Sequence, residues 1–306
     1  MGAVDERSTR REEVLSLCDE VRTTCAQIAP GARYVQIELA ALDAVEPGPA
    51  PRLDPERHFL EGPVDQVAAY VLALDAINFG SGWFPTLRKR PGCSGSVTIS
   101  WALAEHVRER GGPWSPAELR ALGAEAVAWA LGQDPRHELM ALYARALREL
   151  GTWLGERSAL QAIAAAEGSA ERLAAALCAG MALFDDRGFY KRAQIVPHDL
   201  ALAGVAGFAD LDRLTIFADN LVSHVLRMDG VLRYDPALAA RIDAGELLAP
   251  GSAEEREIRA GAVHACELLS ARLGVPPRVL DGWLWNRGQE PAYKAVPRHR
   301  TRTTAY

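Results

Sequence analysis

Four short stretches of this chain set ionisable or amide side chains among aromatic and apolar ones. In LALDAINFGSGWF, residues 72–84, Asp75 and Asn78 stand three apart, which puts them on one helical face. Phe79, Trp83 and Phe84 follow, so the stretch reads either as a helix end packed by aromatics or as one wall of an aromatic pocket. FYKRAQIVPHDL, residues 189–200, places Lys191 beside Arg192. Pro197 suits a helix start and would leave His198 and Asp199 in a first turn, where the helix dipole favours an anion. In LTIFADNLVSHVL, residues 214–226, a helical wheel gathers Leu214, Phe217, Ala218, Leu221 and Val225 into one stripe, with Asp219 beside it. On an exposed side Asp219 is an ordinary surface acid; enclosed, its charge needs a partner or a purpose. VLDGWLWNRGQE, residues 279–290, puts Trp283 and Trp285 beside Asp281 and Asn286, a set that packs a core or stacks a flat ring and hydrogen-bonds its edge.

Several other chemistries lack their signatures. The seven histidines (His58, His106, His137, His198, His224, His264, His299) form no HExxH and no pair at ligand spacing with a carboxylate partner, so no metal is expected. GSGWFP at 80–85 begins like a glycine-rich loop, but it follows a helix and lacks the third glycine. There is no GxxxxGK[ST] and no GxSxG, and no cofactor is expected. Cys18, Cys25, Cys93, Cys178 and Cys266 are odd in number and scattered, which reads as buried free thiols in a reducing cytosol.

The elements that must position these groups are helical. Val14, Leu17, Cys18, Val21, Cys25 and Ile28 share one stripe; Val64, Val67, Ala68, Val71 and Leu72 share another; Leu139, Leu142, Tyr143, Ala146 and Leu150 a third. Ser115-Pro116-Ala117-Glu118 and Ser252-Ala253-Glu254-Glu255 read as capping boxes, and Asp134-Pro135 as a further helix start. The best strand candidates are short, near Ser96–Ser100 and Gln194–Val196. Breaks fall at 46–55, 80–95 and 110–113, none long enough for a flexible linker. With 49% hydrophobic and 24% charged residues, the 306-residue chain is that of an ordinary globular protein. A net charge of −6 argues against a protein that grips a long nucleic acid. The charged N-terminal stretch is no secretory signal, Glu6 breaks a Gly2 myristoylation pattern, and no apolar run approaches a bilayer span. The expectation is a soluble cytoplasmic protein, with its oligomeric state open.

Taken together and in this order, VLALDAINFGSGWF, FYKRAQI, DLDRLTIFAD, GELLAPGSAEEREIRA, LDGWLWN and PRHRTRTTAY resemble the queuosine salvage family, the queuosine 5′-phosphate N-glycosylase/hydrolases. The likeness runs from about residue 60 to 306. It implies an all-α, single globular helical domain with the architecture of helix-hairpin-helix DNA glycosylases, but without their nucleic-acid-binding elements. Two lobes around a pocket are expected, the N-terminal one roughly 1–110 and the remainder 111–306. The implied activity is hydrolysis of the N-glycosidic bond of queuosine 5′-monophosphate to queuine and ribose 5-phosphate. This chain departs from the family's pattern after IFAD, where it has Asn220-Leu221-Val222-Ser223-His224, and at Gly282 and Asn286, where an aromatic and an acid are usual.

The resemblance gives the residues roles. Cleavage passes through an oxocarbenium-like sugar, which a fixed carboxylate stabilises more than the neutral ground state. Asp219 of IFAD is the implied catalytic carboxylate, as stabiliser or as nucleophile at C1′, with Asp199 orienting water or holding the base. Asp281 and Asn286 suit the secondary ammonium of queuine, while Phe217, Trp283 and Trp285 offer flat faces to the deazaguanine. Asn78 belongs to the first matching stretch, and His58, just before it, reaches the base or the diol. The 5′-phosphate needs cations, and Lys191 leads, with Arg192, His299 and Arg302 behind it. Two rival readings are a base-excision glycosylase on DNA, disfavoured by the absence of an LPGxG-type hairpin, and a non-catalytic helical binding or scaffold protein.

Overall fold

Serines and glycines punctuate the chain much as their capping chemistry requires. The computed structural model describes residues 16–306, so Gly2, Glu6 and Val14 lie outside the described residues. The helices are α1 (Leu17–Ile28), α2 (Val64–Ala76), α3 (Gly95–Arg110), α4 (Pro116–Ala121), α5 (Ala124–Ala130), α6 (Glu138–Leu154), α7 (Ala159–Ala164), α8 (Ala170–Gly180), α9 (Lys191–Leu202), α10 (Asn220–Met228), α11 (Pro236–Asp243), α12 (Ala253–Leu273), α13 (Pro277–Arg287) and α14 (Pro291–Lys294). Short strands β1 (Val35–Ile37) and β2 (Leu232–Tyr234) pair antiparallel, and β3 (Leu247–Leu248) runs parallel to β4 (Arg300–Thr301). Helix accounts for 59% and strand for 3%, which makes the class all-α. No helix among the described residues is long and apolar enough to cross a membrane.

The caps explain most boundaries. Ser16, Ser94, Ser115, Ser158, Ser169 and Ser252 each accept a backbone N–H in the first turn of the helix that follows. Ser115 and Glu118 close a full capping box. At Ser252 only half of the box forms, because Glu255 reaches back to the N–H of Gly251 instead. Asp134-Pro135 makes a turn rather than a helix start: Asp134 accepts from Arg136 N, and α6 begins at Glu138, capped by His137. The strand candidates at Ser96–Ser100 and Gln194–Val196 are interior to α3 and α9. Five residues of alternation do not separate a strand from a helix face, and the cap at Ser94 decides for the helix. Cys18, Cys25 and Cys266 are buried free thiols, whereas Cys93 and Cys178 are only half-buried.

Helix α9 runs through the middle. Nearly every residue of it is buried, including Lys191, Arg192, Gln194, His198 and Asp199. Pro197 sits inside this helix and does not start it, so Asp199 lies in the last turn, at the opposite dipole end from the one that favours an anion. One face of α9 packs on α2 and another on α8; α12 packs on α1, α10 and α13. A continuous apolar core joins these layers.

Arg259 of α12 crosses from one layer to the next. Its Nη1 donates to Asp186 Oδ1 at 2.9 Å, Nη2 donates to Asp186 Oδ2, and Nε donates to the carbonyl of Ala218 at 2.9 Å. Its guanidinium lies 4.0 Å from the Phe189 ring centroid and 4.7 Å from that of Tyr306. Removing one partner of a buried, hydrogen-bonded ion pair strands the other charge. Arg259→Met should therefore cost about 3–5 kcal/mol of stability; urea unfolding of the variant beside wild type measures it, and a loss below about 1 kcal/mol would show that the pair holds nothing.

Candidate active site

A cavity of about 700 Å³ lies between α2, α3, α9, α13, the 46–57 segment and the residues just before α10. That volume is in the range of small-molecule sites. Asn78, Lys191, Asp199, Phe217, Asp219 and Asp281 all line it, as do His58, Trp285 and Asn286.

Residues 214–219 are extended and not helical, so the wheel on which Asp219 lay beside a stripe does not apply; α10 begins one residue later. The reason is a set of side-chain clamps that take the place of helical bonds. Gln194 Oε1 accepts from Thr215 N at 2.9 Å, while its Nε2 donates to Thr215 Oγ1 at 2.9 Å. Asp281 Oδ1 accepts from Phe217 N at 2.8 Å. Arg259 donates to Ala218 O, and Asp219 Oδ1 caps α10 by accepting from Leu221 N at 2.8 Å and Val222 N at 2.9 Å. Asp219 Oδ2 accepts no hydrogen bond among the described residues, and Asp219 lines the cavity.

The other wall is built on α2 and α9. Tyr190 adopts a left-handed conformation (φ 50°), an uncommon state for a bulky side chain, at the turn that delivers Lys191. Asp186, already bound to Arg259, accepts Lys191 N as well. Lys191 Nζ donates to Asn78 O at 3.1 Å and Asn78 Oδ1 at 3.0 Å, and Asn78 Nδ2 in turn points to Asp75 Oδ1 at 3.4 Å. His58 Nδ1 donates to Asp54 O at 2.9 Å, which leaves Nε2 as an acceptor.

Two segments close the cavity. In the 46–57 segment, Pro51 sits so close to α13 that a Cβ on Gly282 would lie 2.6 Å from the Pro51 Cβ, which accounts for glycine where an aromatic is usual. On the other side the 298–306 segment is seated on the GSG turn. A Cβ on Gly82 would lie 2.5 Å from the Thr301 carbonyl oxygen, and Gly80 N donates to Tyr306 O at 3.0 Å. Gly82 therefore serves close backbone approach, whereas Gly80 has φ +117° and a Cβ there would lie 2.9 Å from the Leu139 side chain. Asn220, in the departing run after IFAD, donates to His299 O at 3.0 Å and holds this segment against α10.

Four of the sequence candidates do not line the cavity. Trp283 faces a smaller second cavity of about 230 Å³, against Gly48. Arg192 is enclosed between the Phe79 and Phe184 rings and donates to the carbonyls of Ala76 and Leu183. His299 is buried beside Tyr306, and Arg302 lies over Trp83, 3.5 Å from Glu138. Helical spacing could have separated Trp283 from Trp285, because residues two apart face different sides. Among the residues that line the cavity without having been singled out are Arg52, Asp54, Arg57, Ser81, Arg298 and Tyr306. The alternation of an extended segment could have shown that His299 and Arg298 point opposite ways; nothing in the sequence tells which of them faces a cavity.

Comparison with known proteins follows the same outline. The family profile described as queuosine salvage protein matches residues 58–306. A protein of Sphaerobacter thermophilus named queuosine 5′-phosphate N-glycosylase/hydrolase is 36% identical over 94% of this chain and 97% of its own length. Proteins of the same name from Dictyostelium discoideum and Mus musculus are 37% and 34% identical over 39% of this chain and 40% of theirs.

The cavity's electrostatics are set by burial. Asp199 is 9% exposed; burial and then the neighbouring Asp75 push its carboxyl well above the usual range. Burial likewise raises Asp281, with Asp219 adding to the effect. Lys191, 4% exposed, is lowered by burial, against which the charges of Asp219 and Asp75 work. Burial brings His198, whose ring lies 5.1 Å from that of Phe217, down to about 4, so it stands neutral. Asp75 is fully enclosed and burial raises it from 3.8 to about 7. A carboxyl whose pKa is higher folded than unfolded contributes stability that is complete below about 4 and lost as pH rises through about 7. Asp75→Asn should remove that loss. Its stability relative to wild type, from urea unfolding at successive pH values, should climb between pH 4 and 7 and then level off; a difference independent of pH would refute it.

Proposed function

The chain belongs to the queuosine salvage family, and from that premise we propose that it hydrolyses the N-glycosidic bond of queuosine 5′-monophosphate, releasing queuine and ribose 5-phosphate, with Asp219 as the carboxylate that opposes the developing sugar cation. The observation that carries this reading is the state of Asp219. One oxygen is committed to two backbone donors of α10, the other is uncommitted, and the side chain lines a cavity of about 700 Å³. Fixing the carboxylate before substrate arrives means that little reorganisation is left for the transition state. A cavity of this volume also favours a mononucleotide over a DNA duplex.

The remaining lining residues divide the substrate among them. Phe217 and Trp285 offer faces to the deazaguanine. Asp281 and Asn286 offer acceptors to the secondary ammonium of the cyclopentenediol arm, and His58 Nε2 an acceptor to the diol. Lys191 keeps two of its three N–H groups on Asn78, which leaves one for the sugar. Burial and the neighbouring Asp75 raise the Asp199 carboxyl, which favours its protonated form as the donor of a hydrogen bond to the base as its electrons return to the ring system.

Asparagine caps helices as well as aspartate does, so Asp219→Asn should fold. Its rate of queuine release should fall on the order of 10²–10³-fold or more, and release at near wild-type rate would end the assignment. If Asp199 acts as the acid, kcat/KM declines as pH rises through its raised pKa, since the donor form is lost on that side. The pH profile of Asp199→Asn should lack this decline; an unchanged alkaline limb would assign it to another group.

A further inference from the structure

The cations of the cavity are not equivalent. Lys191 lies at its floor, bound to Asn78. Arg57 pairs with Asp54 at 3.1 Å and lies over the Trp101 ring, and Arg52 is exposed at the rim. Arg298 differs from all three. It lines the cavity and is partly buried, yet its guanidinium makes no hydrogen bond or ion pair with any described residue. Burial disfavours its charge, and the Asp219 carboxylate, which lines the same cavity, works against this. Its backbone is fixed, because the next residue's carbonyl is held by Asn220 and the segment beyond is seated on Gly82. A planar group with five donors, pre-positioned, uncommitted and near the sugar-facing carboxylate, is matched to a tetrahedral oxyanion.

We propose that Arg298 binds the 5′-phosphate of the substrate and sets the preference for nucleotide over nucleoside. This rests on the reading of the cavity as a queuosine 5′-monophosphate site. Arg298 lines the same cavity as Asp219 and the base-binding residues, so one bound nucleotide can meet all of them.

The test compares wild type, Arg298→Gln and Arg298→Lys on queuosine 5′-monophosphate and on queuosine. Loss of charge-assisted hydrogen bonds of this kind corresponds to about a tenfold to hundredfold change in affinity. The ratio of kcat/KM for nucleotide to that for nucleoside should fall by about that factor in the glutamine variant, chiefly through KM, and by less in the lysine variant. An unchanged ratio, or an equal fall for both substrates, overturns the proposal, the second outcome assigning Arg298 to Asp219 instead. Calorimetric titration with inorganic phosphate provides a readout independent of turnover. Wild type should bind it more tightly than either variant, and equal binding again overturns the proposal. If wild type releases base from neither substrate, the reading of the reaction fails, and the phosphate titration still judges Arg298.

Discussion

The buried pair of Arg259 and Asp186 is the constraint on which the cavity depends. Asp186 also accepts the backbone N–H of Lys191, and Arg259 also donates to the carbonyl of Ala218, next to Asp219. One ion pair thus fixes the spacing of two walls that are far apart in sequence, the start of α9 and the extended residues before α10. Buried ion pairs are a weak source of net stability compared with apolar packing of the same volume. What this one supplies is uniqueness: with two hydrogen-bonding demands on each partner, slippage of α12 against α9 would leave charges unmatched. The rings of Phe189 and Tyr306 on the guanidinium exclude water from it and bring the 298–306 segment into the same arrangement.

The helical framework was legible because its determinants are local. Apolar stripes over α1, α2 and α6 and the serine caps at Ser115 and Ser252 are properties of neighbouring residues. The errors come where tertiary burial overrules local pattern. Pro197 looks like a helix start, but α9 is surrounded by other elements and packing carries it past the proline. LTIFAD looks like part of a helix, because its apolar residues are buried; they are buried as an extended segment whose backbone is satisfied by Gln194, Asp281 and Arg259 from three other helices. No window of sequence contains those partners.

The site residues divide in the same way. The order of the motifs led to Asp219, Lys191, Asp281 and the others that share the cavity. Choosing among adjacent residues of one motif was beyond it, since neighbours along a strand or helix point to different sides. His299 and Arg298 differ by one position, and one is in the core while the other faces the cavity. The GSG turn shows the converse: of two glycines that suggest a phosphate loop, Gly82 is there because another stretch of backbone lies against it and Gly80 because its φ is positive and the Leu139 side chain fills the space a Cβ would take.

The contact between Pro51 and Gly282 has an evolutionary reading. Each residue excludes alternatives at the other, since any side chain at 282 would occupy the space of the proline ring. Gly48 stands in the same relation to Trp283. The covering segment and the face of α13 beneath it are therefore inherited as a matched set. A homologue with an aromatic at the position of Gly282 must route its cover along another path, and so must line that side of the cavity with different atoms. A change on one side of this seam calls for a matching change on the other, so the two sides vary as pairs or not at all.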